Sequence, residues 1–327
     1  MNDTIDFTKY LKEYRLDLPC EVENRESGMN NTTRIITSGE QKYVLRIYNN
    51  HKDAEIVRLE HEVLKQLNEQ QLSFQVPIPV SNRSGDTVSI ADDGTLSSLF
   101  RYIEGNRPSI SNPAHVYALG HTAAELIRAL SRIQPTQKPL YTPYYLLEET
   151  YASMNALTFL SMSDRSEELR KRRASFVALN KERESLVLEC AQLSLLPKQW
   201  IHGDLVFNNT VSNGNDIIGV LDFEFTTIDV RAMELAVIVV DLIKPGDQHF
   251  QVKLRQLIKG FKDSLQLSEQ ELIKLPSLMK LRLLDVALHF AVRLRDNLDS
   301  EDIFCDIIDQ SLFGCNWIND HWEDEYV

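Results

Sequence analysis

Residues 202–209 read His202-Gly203-Asp204-Leu205-Val206-Phe207-Asn208-Asn209. Thirteen residues after Asn209 an apolar run, Ile217-Ile218-Gly219-Val220-Leu221, ends on Asp222-Phe223-Glu224. No other feature restricts the fold as strongly. A carboxylate closing an apolar strand is costly unless a partner or a cation meets it. An Asp with an Asn five residues on, and a second Asp after a short hairpin, supplies what phosphoryl transfer needs. One carboxylate stands beside the attacking hydroxyl, and hard oxygen ligands hold magnesium around substrate phosphates. Asp204 takes the first task, and Asn209 and Asp222 the second, provided loop and hairpin fold back together. A strand-end Asp that caps a turn accounts for Asp222 alone but poorly for the set. His202 is expected to orient the loop by hydrogen bonding and to move no proton.

A second signal lies nearer the N-terminus. On a helix over 53–70, with Glu60 as origin, Ile56 falls at about −40°, Val63 at about −60°, Leu64 at about +40° and Leu67 at about −20°. Glu60 thus sits in the middle of an apolar stripe, and Glu62 points to the far side. A carboxylate on such a stripe needs a cation or must give up its charge. The preceding strand, Tyr43-Val44-Leu45-Arg46-Ile47, offers Arg46 between apolar neighbours. The expected Arg46–Glu60 pair either holds nucleotide phosphates or is a purely structural salt bridge. Gly28-Met29-Asn30-Asn31-Thr32 is a turn between strands whose N–H groups could cover phosphates; by itself it is only a hairpin turn. The pattern G-x-x-x-x-G-K-[ST] is absent, so a P-loop nucleotide site is not supported.

The chain's 327 residues suit one or two domains sharing an interface. Strands are expected at about 34–37 and 42–48, two more flank Asp92-Asp93-Gly94, and Val76-Pro77-Ile78-Pro79 leads into an extended, Pro-rich strand. Leu99 to Ile103 closes this part, and Glu104-Gly105 is a linker. From Pro113 the pattern is mainly helical: an apolar helix at 116–133, a charged and largely solvated helix at 165–180, a β-like island at 200–225, then three helical segments. Leu235 to Val240 is a buried helix, too short to span a membrane. The net charge of −13 counts against nucleic acid or an anionic membrane as partner. Four scattered cysteines and an N-terminus without a basic or apolar segment fit reduced thiols and a cytoplasmic protein.

These residues carry a resemblance. Ile201-His202-Gly203-Asp204-Leu205, Asn209, Val220-Leu221-Asp222-Phe223-Glu224 and the helix from Met233 resemble the aminoglycoside phosphotransferase and choline kinase superfamily. The order Gly28…Asn31-Thr32, Tyr43-Val44-Leu45-Arg46, Glu60 with Leu64 and Leu67, and Tyr102-Ile103-Glu104-Gly105 is similar to that superfamily's first lobe. The resemblance spans about residues 20–245 and looks nearest to the homoserine kinases of this fold. It implies an α+β, protein-kinase-like two-lobe fold: a small β-rich N-lobe at 1–104 and a larger, mainly helical C-lobe at 105–327. It implies transfer of the γ-phosphate of ATP, or another nucleoside triphosphate, to the hydroxyl of a small metabolite. By the same resemblance Asp204 is the catalytic base, Asn209 and Asp222 hold Mg2+, and Arg46, Glu60, Gly28, Asn31, Tyr102 and Ile103 serve the nucleotide. Two departures stand out: Arg46 where lysine is usual, and Glu234 where aspartate is common, which shifts a loop-bracing contact.

Homoserine, another amino alcohol, choline-like compounds, aminoglycosides and sugar hydroxyls all remain open as acceptors. The late acids Glu301, Asp302, Asp306 and Asp309 read better as a solvated face than as a wall for a cationic substrate. A different class is a nucleotide-binding pseudokinase; the presence of Asp204, Asn209, Asp222 and Glu60 counts against it. The sequence has no bearing on oligomeric state.

Overall fold

The computed structural model describes residues 6–17, 19–23, 31–49 and 53–322. Period-two patterning in the first part builds one antiparallel sheet from β1 (Glu21–Glu23), β2 (Asn31–Ser38), β3 (Gln41–Tyr48), β4 (Ser89–Ile90) and β5 (Leu96–Arg101), in the spatial order β1-β2-β3-β5-β4. On β3, Leu45 and Ile47 face a small core shared with Tyr10, Leu11 and Tyr14 at and just after the short helix α1 (Thr8–Leu11). Arg46, between them, is turned to the opposite face, as strand geometry requires. Helix α2 (Ala54–Asn68), capped by the Asp53 carboxylate on the N–H of Glu55, packs Leu59, Val63, Leu64 and Leu67 into the main core.

The Pro-rich segment at 76–79 runs beside β5 without joining the sheet as a strand. Pro77 and Pro79 have no N–H to donate to a ladder. Isolated bonds replace it: Arg101 N–H to Ile78 O at 3.0 Å and Val80 N–H to Leu99 O at 2.7 Å.

The larger lobe contains α3 (Pro113–Leu130), α4 (Leu147–Thr150), α5 (Ala156–Ser161), α6 (Glu167–Lys171), α7 (Arg173–Leu193), α8 (Met233–Leu242), α9 (Phe250–Lys262), α10 (Glu269–Arg295) and α11 (Glu301–His321). The expected charged helix at 165–180 is two helices broken at Arg172, and it is not simply solvated. Leu169, Phe176 and Leu179 are fully buried, so a narrow apolar stripe between charges was enough to dock it. The β island runs further than expected, to β9 (Thr227–Val230), which pairs with β6 (Lys198–Ile201), while β7 (Thr210–Asn213) pairs with β8 (Asp216–Val220). Four helices follow it, not three, among the described residues. Helix α8 is buried at every position but Asp241, as a helix apolar on all sides must be. No helix among the described residues is long and apolar enough to cross a membrane. All four cysteines are free thiols, and Cys305 and Cys315 are buried.

The two lobes meet through backbone bonds. Gln75 N–H donates to Ile218 O at 2.8 Å and Val220 N–H to Gln75 O at 2.9 Å. Just past the linker, Asn106 and Ser212, both in the larger lobe, exchange a pair of bonds at 2.8 Å. A Cβ at Gly105 would lie 2.4 Å from the Val211 side chain, so the linker passes the β7–β8 hairpin at a distance only glycine allows.

Candidate active site

The loop after β6 is held from three sides. Gly203 takes φ +80°, a left-handed conformation that suits glycine. Its N–H donates to Glu234 Oε1 at 2.7 Å, and its carbonyl accepts from the Tyr144 hydroxyl at 2.7 Å. Asp241 accepts from the Phe207 N–H at 3.2 Å. The two acids of the apolar helix α8 therefore brace the loop, and Glu234 performs this with one methylene more than aspartate.

His202 is fully buried. Its Nδ1 accepts from the Asp204 N–H at 3.2 Å, which places the ring proton on Nε2, donating to Leu221 O at 2.9 Å. Its ring lies 4.5 Å from that of Phe223. This is the orienting role expected of it, and both ring nitrogens are engaged.

Asp204 and Asn209 are brought together. Asn209 Nδ2 donates to the Asp204 carbonyl at 2.9 Å and to its Oδ2 at 3.1 Å. Asp204 Oδ1 accepts from Arg282 Nη2 at 2.5 Å. Burial raises the Asp204 carboxyl, against the opposing pull of Arg282 and Asn209. Leu221 N–H donates to Asn209 O at 2.8 Å, so the hairpin does fold back on the loop and delivers Asp222 next to it.

Asp222 adopts φ +67° and ψ +63°, a conformation costly for a residue with a Cβ. Its Oδ1 stands 3.0 Å from Arg46 Nη2, while Arg46 Nη1 stands 3.1 Å from Glu60 Oε1. One guanidinium thus joins the helix carboxylate to the hairpin carboxylate, and the Tyr48 hydroxyl adds a longer contact to Glu60 Oε2 at 3.4 Å. Asn31 is committed elsewhere: its Nδ2 donates to Glu224 Oε2 at 2.8 Å. Gly28 lies outside the described residues.

Two cavities flank this array. One, of about 260 Å³, is lined by Ile35, Val44, Arg46, Phe100, Tyr102, Ile103 and Leu221, and also by Asn208 and Thr210. The other, of about 450 Å³, has Asp204, Tyr144, Arg282, Asp285 and His289 in its wall. A wider, open concavity of about 760 Å³ at Glu62, Lys65 and Arg132 contains none of these groups and is not the site.

Arg282, Asp285 and His289 were not singled out from the sequence, and neither was Tyr144. A signal existed: Arg282, Asp285, His289 and Arg293 recur at intervals of three or four in the otherwise apolar stretch 281–294 of α10, a polar stripe about 80° wide. The late acids, by contrast, are not in this wall. Asp309 pairs with Arg172 at 2.9 Å, and Glu301 accepts from Ser166 at 2.6 Å.

A divalent metal fits the donor set. Magnesium uses one or two protein oxygens and completes its shell with phosphates and water. Asp222 supplies a carboxylate. Asn209, its Nδ2 turned to Asp204, has its amide oxygen for a cation. Among the described residues no group of three or more His, Cys, Asp or Glu is placed to hold a metal ion by itself.

Residues 21–259 match the family model described as the phosphotransferase enzyme family, APH. The chain belongs to this family. This phosphotransferase is an enzyme of the small-molecule kinase class with a protein-kinase-like, two-lobe α+β fold. It is 25% identical over 300 residues to a homoserine kinase of Rhodopseudomonas palustris, covering 90% of this chain and 85% of the relative. It is 24% identical over 256 residues to one of Zymomonas mobilis, covering 76% and 74%. In structure it is similar to the amicoumacin kinase hAmiN, solved with AMP-PNP, Ca2+ and amicoumacin (TM-score 0.73, 15% identity, 95% and 93% covered). It is also similar to a microcompartment-associated aminopropanol kinase (TM-score 0.70, 16% identity, 96% of both chains).

The phosphotransferase buries acids whose protons are held tightly. Burial lifts the Glu60 carboxyl to about 7, with Arg46 opposing the shift, and lifts Asp229 to about 7 against two backbone N–H bonds. The ordinary values, 4.5 and 3.8, are lower, so the unfolded chain loses these protons first as pH rises. The stabilisation is complete below about pH 4 and is lost as pH rises through 7, on the order of 3 kcal/mol for each group. Thermal denaturation of the nucleotide-free protein is expected to show a melting temperature that falls from pH 5 to 7.5. Glu60→Gln should flatten part of that fall; a rise over this range in the parent protein would contradict the assignment.

Proposed function

We propose that this phosphotransferase moves the γ-phosphate of ATP onto the hydroxyl of a small amino alcohol, with homoserine the leading candidate. One observation carries the reading. Asp204 lines the 450 Å³ cavity, and its hydrogen-bond partner Asn209 lies between Asn208 and Thr210, which line the 260 Å³ cavity. Acceptor and nucleotide would meet across a single hydrogen-bonded pair. The homology to homoserine kinases supports the choice of acceptor.

The nucleotide base would lie against Tyr102 and Ile103 in the cavity between the lobes. These lobes would be 1–104, covering the nucleotide, and 105–327, holding the loop and the acceptor. Arg46, fixed by Glu60, would contact the phosphates; its planar fork would grip two oxygens where a lysine grips one point. Gly28 and Asn31 would serve the nucleotide as the resemblance implies, with Asn31 tied to Glu224. Asn209 and Asp222 would hold Mg2+, whose charge when bound neutralises phosphate oxygens. Asp204 would accept the proton of the acceptor hydroxyl as the new O–P bond forms and the bond to the leaving ADP breaks. The acceptor is a small-molecule alcohol, nucleic acid is no partner of so acidic a chain, and the cytoplasm is the proposed location.

A coupled ADP-release assay with Mg-ATP tests this against homoserine, aminopropanol, choline, an aminoglycoside and a thiosugar. Turnover on one acceptor, abolished by Asp204→Ala, is the expected result. Stabilisation by Mg-ATP without turnover on any of them would favour a nucleotide-binding scaffold, and no binding of Mg-ATP would overturn the proposal.

A further inference from the structure

The acceptor cavity contains a cation that phosphoryl transfer by itself does not use. Arg282 projects from α10 with its side chain 17% exposed. Its Nη2 donates to Asp204 Oδ1 at 2.5 Å, its Nη1 donates to the Tyr144 hydroxyl at 2.7 Å, and Nη1 stands 3.6 Å from Asp285 Oδ2. Asp285 accepts a further bond from the Tyr151 hydroxyl at 2.7 Å. The other arginine of this wall, Arg293, is committed to Asp299. Burial keeps His289 below its ordinary value and so neutral. The working charges are therefore one guanidinium between two carboxylates.

Such an arrangement leaves the base occupied. Asp204 Oδ1 is taken by the Arg282 guanidinium and Oδ2 by the Asn209 amide, so neither oxygen is open to a substrate hydroxyl. To act, Asp204 needs the guanidinium drawn off, and only another anion competes for a guanidinium in a buried wall. The same wall has a carboxylate, Asp285, that loses part of its partner if Arg282 moves and then calls for a cation. A molecule that supplies both charges, together with a hydroxyl, satisfies every group at once.

We propose that Arg282 is the specificity-determining residue of the acceptor site, taking the carboxylate of a hydroxyl-bearing α-amino acid while Asp285 receives its ammonium and Asp204 is released to the hydroxyl. The inference rests on the phosphotransfer reading and narrows its acceptor from amino alcohols in general to hydroxy amino acids. An amino alcohol without a carboxylate enters the same cavity but leaves Arg282 on Asp204.

Homoserine and 3-aminopropan-1-ol differ only by the carboxylate, so they form the test pair. Steady-state kinetics with Mg-ATP are run on the parent protein, Arg282→Gln and Arg282→Lys. Calorimetric titration of each acceptor into the Mg-ADP-bound proteins accompanies them. The parent is expected to prefer homoserine by at least about 100-fold in kcat/KM, since a site built to pair a substrate's polar group rejects an analogue lacking it by up to about 10⁴ to 10⁵. Arg282→Gln should lose about 100-fold on homoserine, mostly through KM, and should gain activity on 3-aminopropan-1-ol, because Asp204 is no longer held by the guanidinium. Arg282→Lys keeps the charge without the fork and should recover part of the homoserine activity. Equal losses on both acceptors in Arg282→Gln would overturn the proposal and leave Arg282 as a mere support for Asp204. If that variant does not fold, the parent's own ratio and Arg282→Lys decide: a parent that binds Mg-ADP but does not distinguish the two acceptors overturns it. Failure of the parent to bind any nucleotide would instead overturn the phosphotransfer reading beneath it.

Discussion

Asp204→Asn is expected to lower kcat by about a thousandfold, with the KM for ATP held within about threefold. Loss of a positioned general base typically costs 10² to 10⁴, and this carboxylate makes two side-chain bonds that asparagine reproduces only in part. Asn209 Nδ2 keeps the Asp204 backbone carbonyl at 2.9 Å, so the loop should hold its shape. Arg46, Glu60 and Asp222 lie in a separate ion-pair chain, untouched by the substitution. The measurement is turnover on the acceptor identified by ADP release, together with the Kd for Mg-ATP. A variant that retains a tenth of the activity would remove Asp204 from the role of base.

The largest effect on stability is expected where α3 crosses α9. A Cβ at Gly120 would lie 2.1 Å from Leu257 O, and one at Gly260 would lie 2.0 Å from Tyr117 O. Backbone atoms cannot step aside as a flexible side chain does, so the two helices would have to separate. Alanine gains about 1 kcal/mol over glycine from helix propensity, and the clash must exceed that. Gly120→Ala and Gly260→Ala are each expected to cost about 3 to 5 kcal/mol net and to lower the melting temperature by about 5 °C. Calorimetry measures both. A neutral substitution at either position would mean that the crossing is looser than the backbone distances indicate.

Much of the site was legible in the sequence because its chemistry leaves contradictions there. Glu60 on an apolar stripe, Arg46 in an apolar strand and Asp222 ending one are each unfavourable alone. Their mutual solution is the Glu60–Arg46–Asp222 chain, of which the first pair was expected and the second link was not. Arg282 and Asp285 escaped because α10 is long and amphipathic, and charges on such a helix ordinarily face water. Nothing local distinguishes a polar stripe turned to solvent from one turned into a cavity. Of the C-terminal aromatics, Phe304 is fully buried and Trp317 packs against Phe250 at 4.6 Å between ring centroids, while Phe313 is 36% exposed. Tyr326 lies outside the described residues.

By itself the sequence determined the two-lobe α+β plan, the loop that presents Asp204 and Asn209, and the pairing of Arg46 with Glu60. The two-lobe plan is what the resemblance of its motifs implies, while the loop and the ion pair follow from spacing and from the cost of burying a lone charge, both of which act over a few residues. The tertiary structure alone decided that Arg282 and Asp285, and not Glu301 or Asp309, line the cavity beside Asp204. It also decided that Arg46 reaches Asp222 and that Glu234 and Asp241 brace the loop from α8. Those choices depend on how helices far apart in the chain pack, and packing is settled by the sum of many buried contacts that no short stretch of residues specifies.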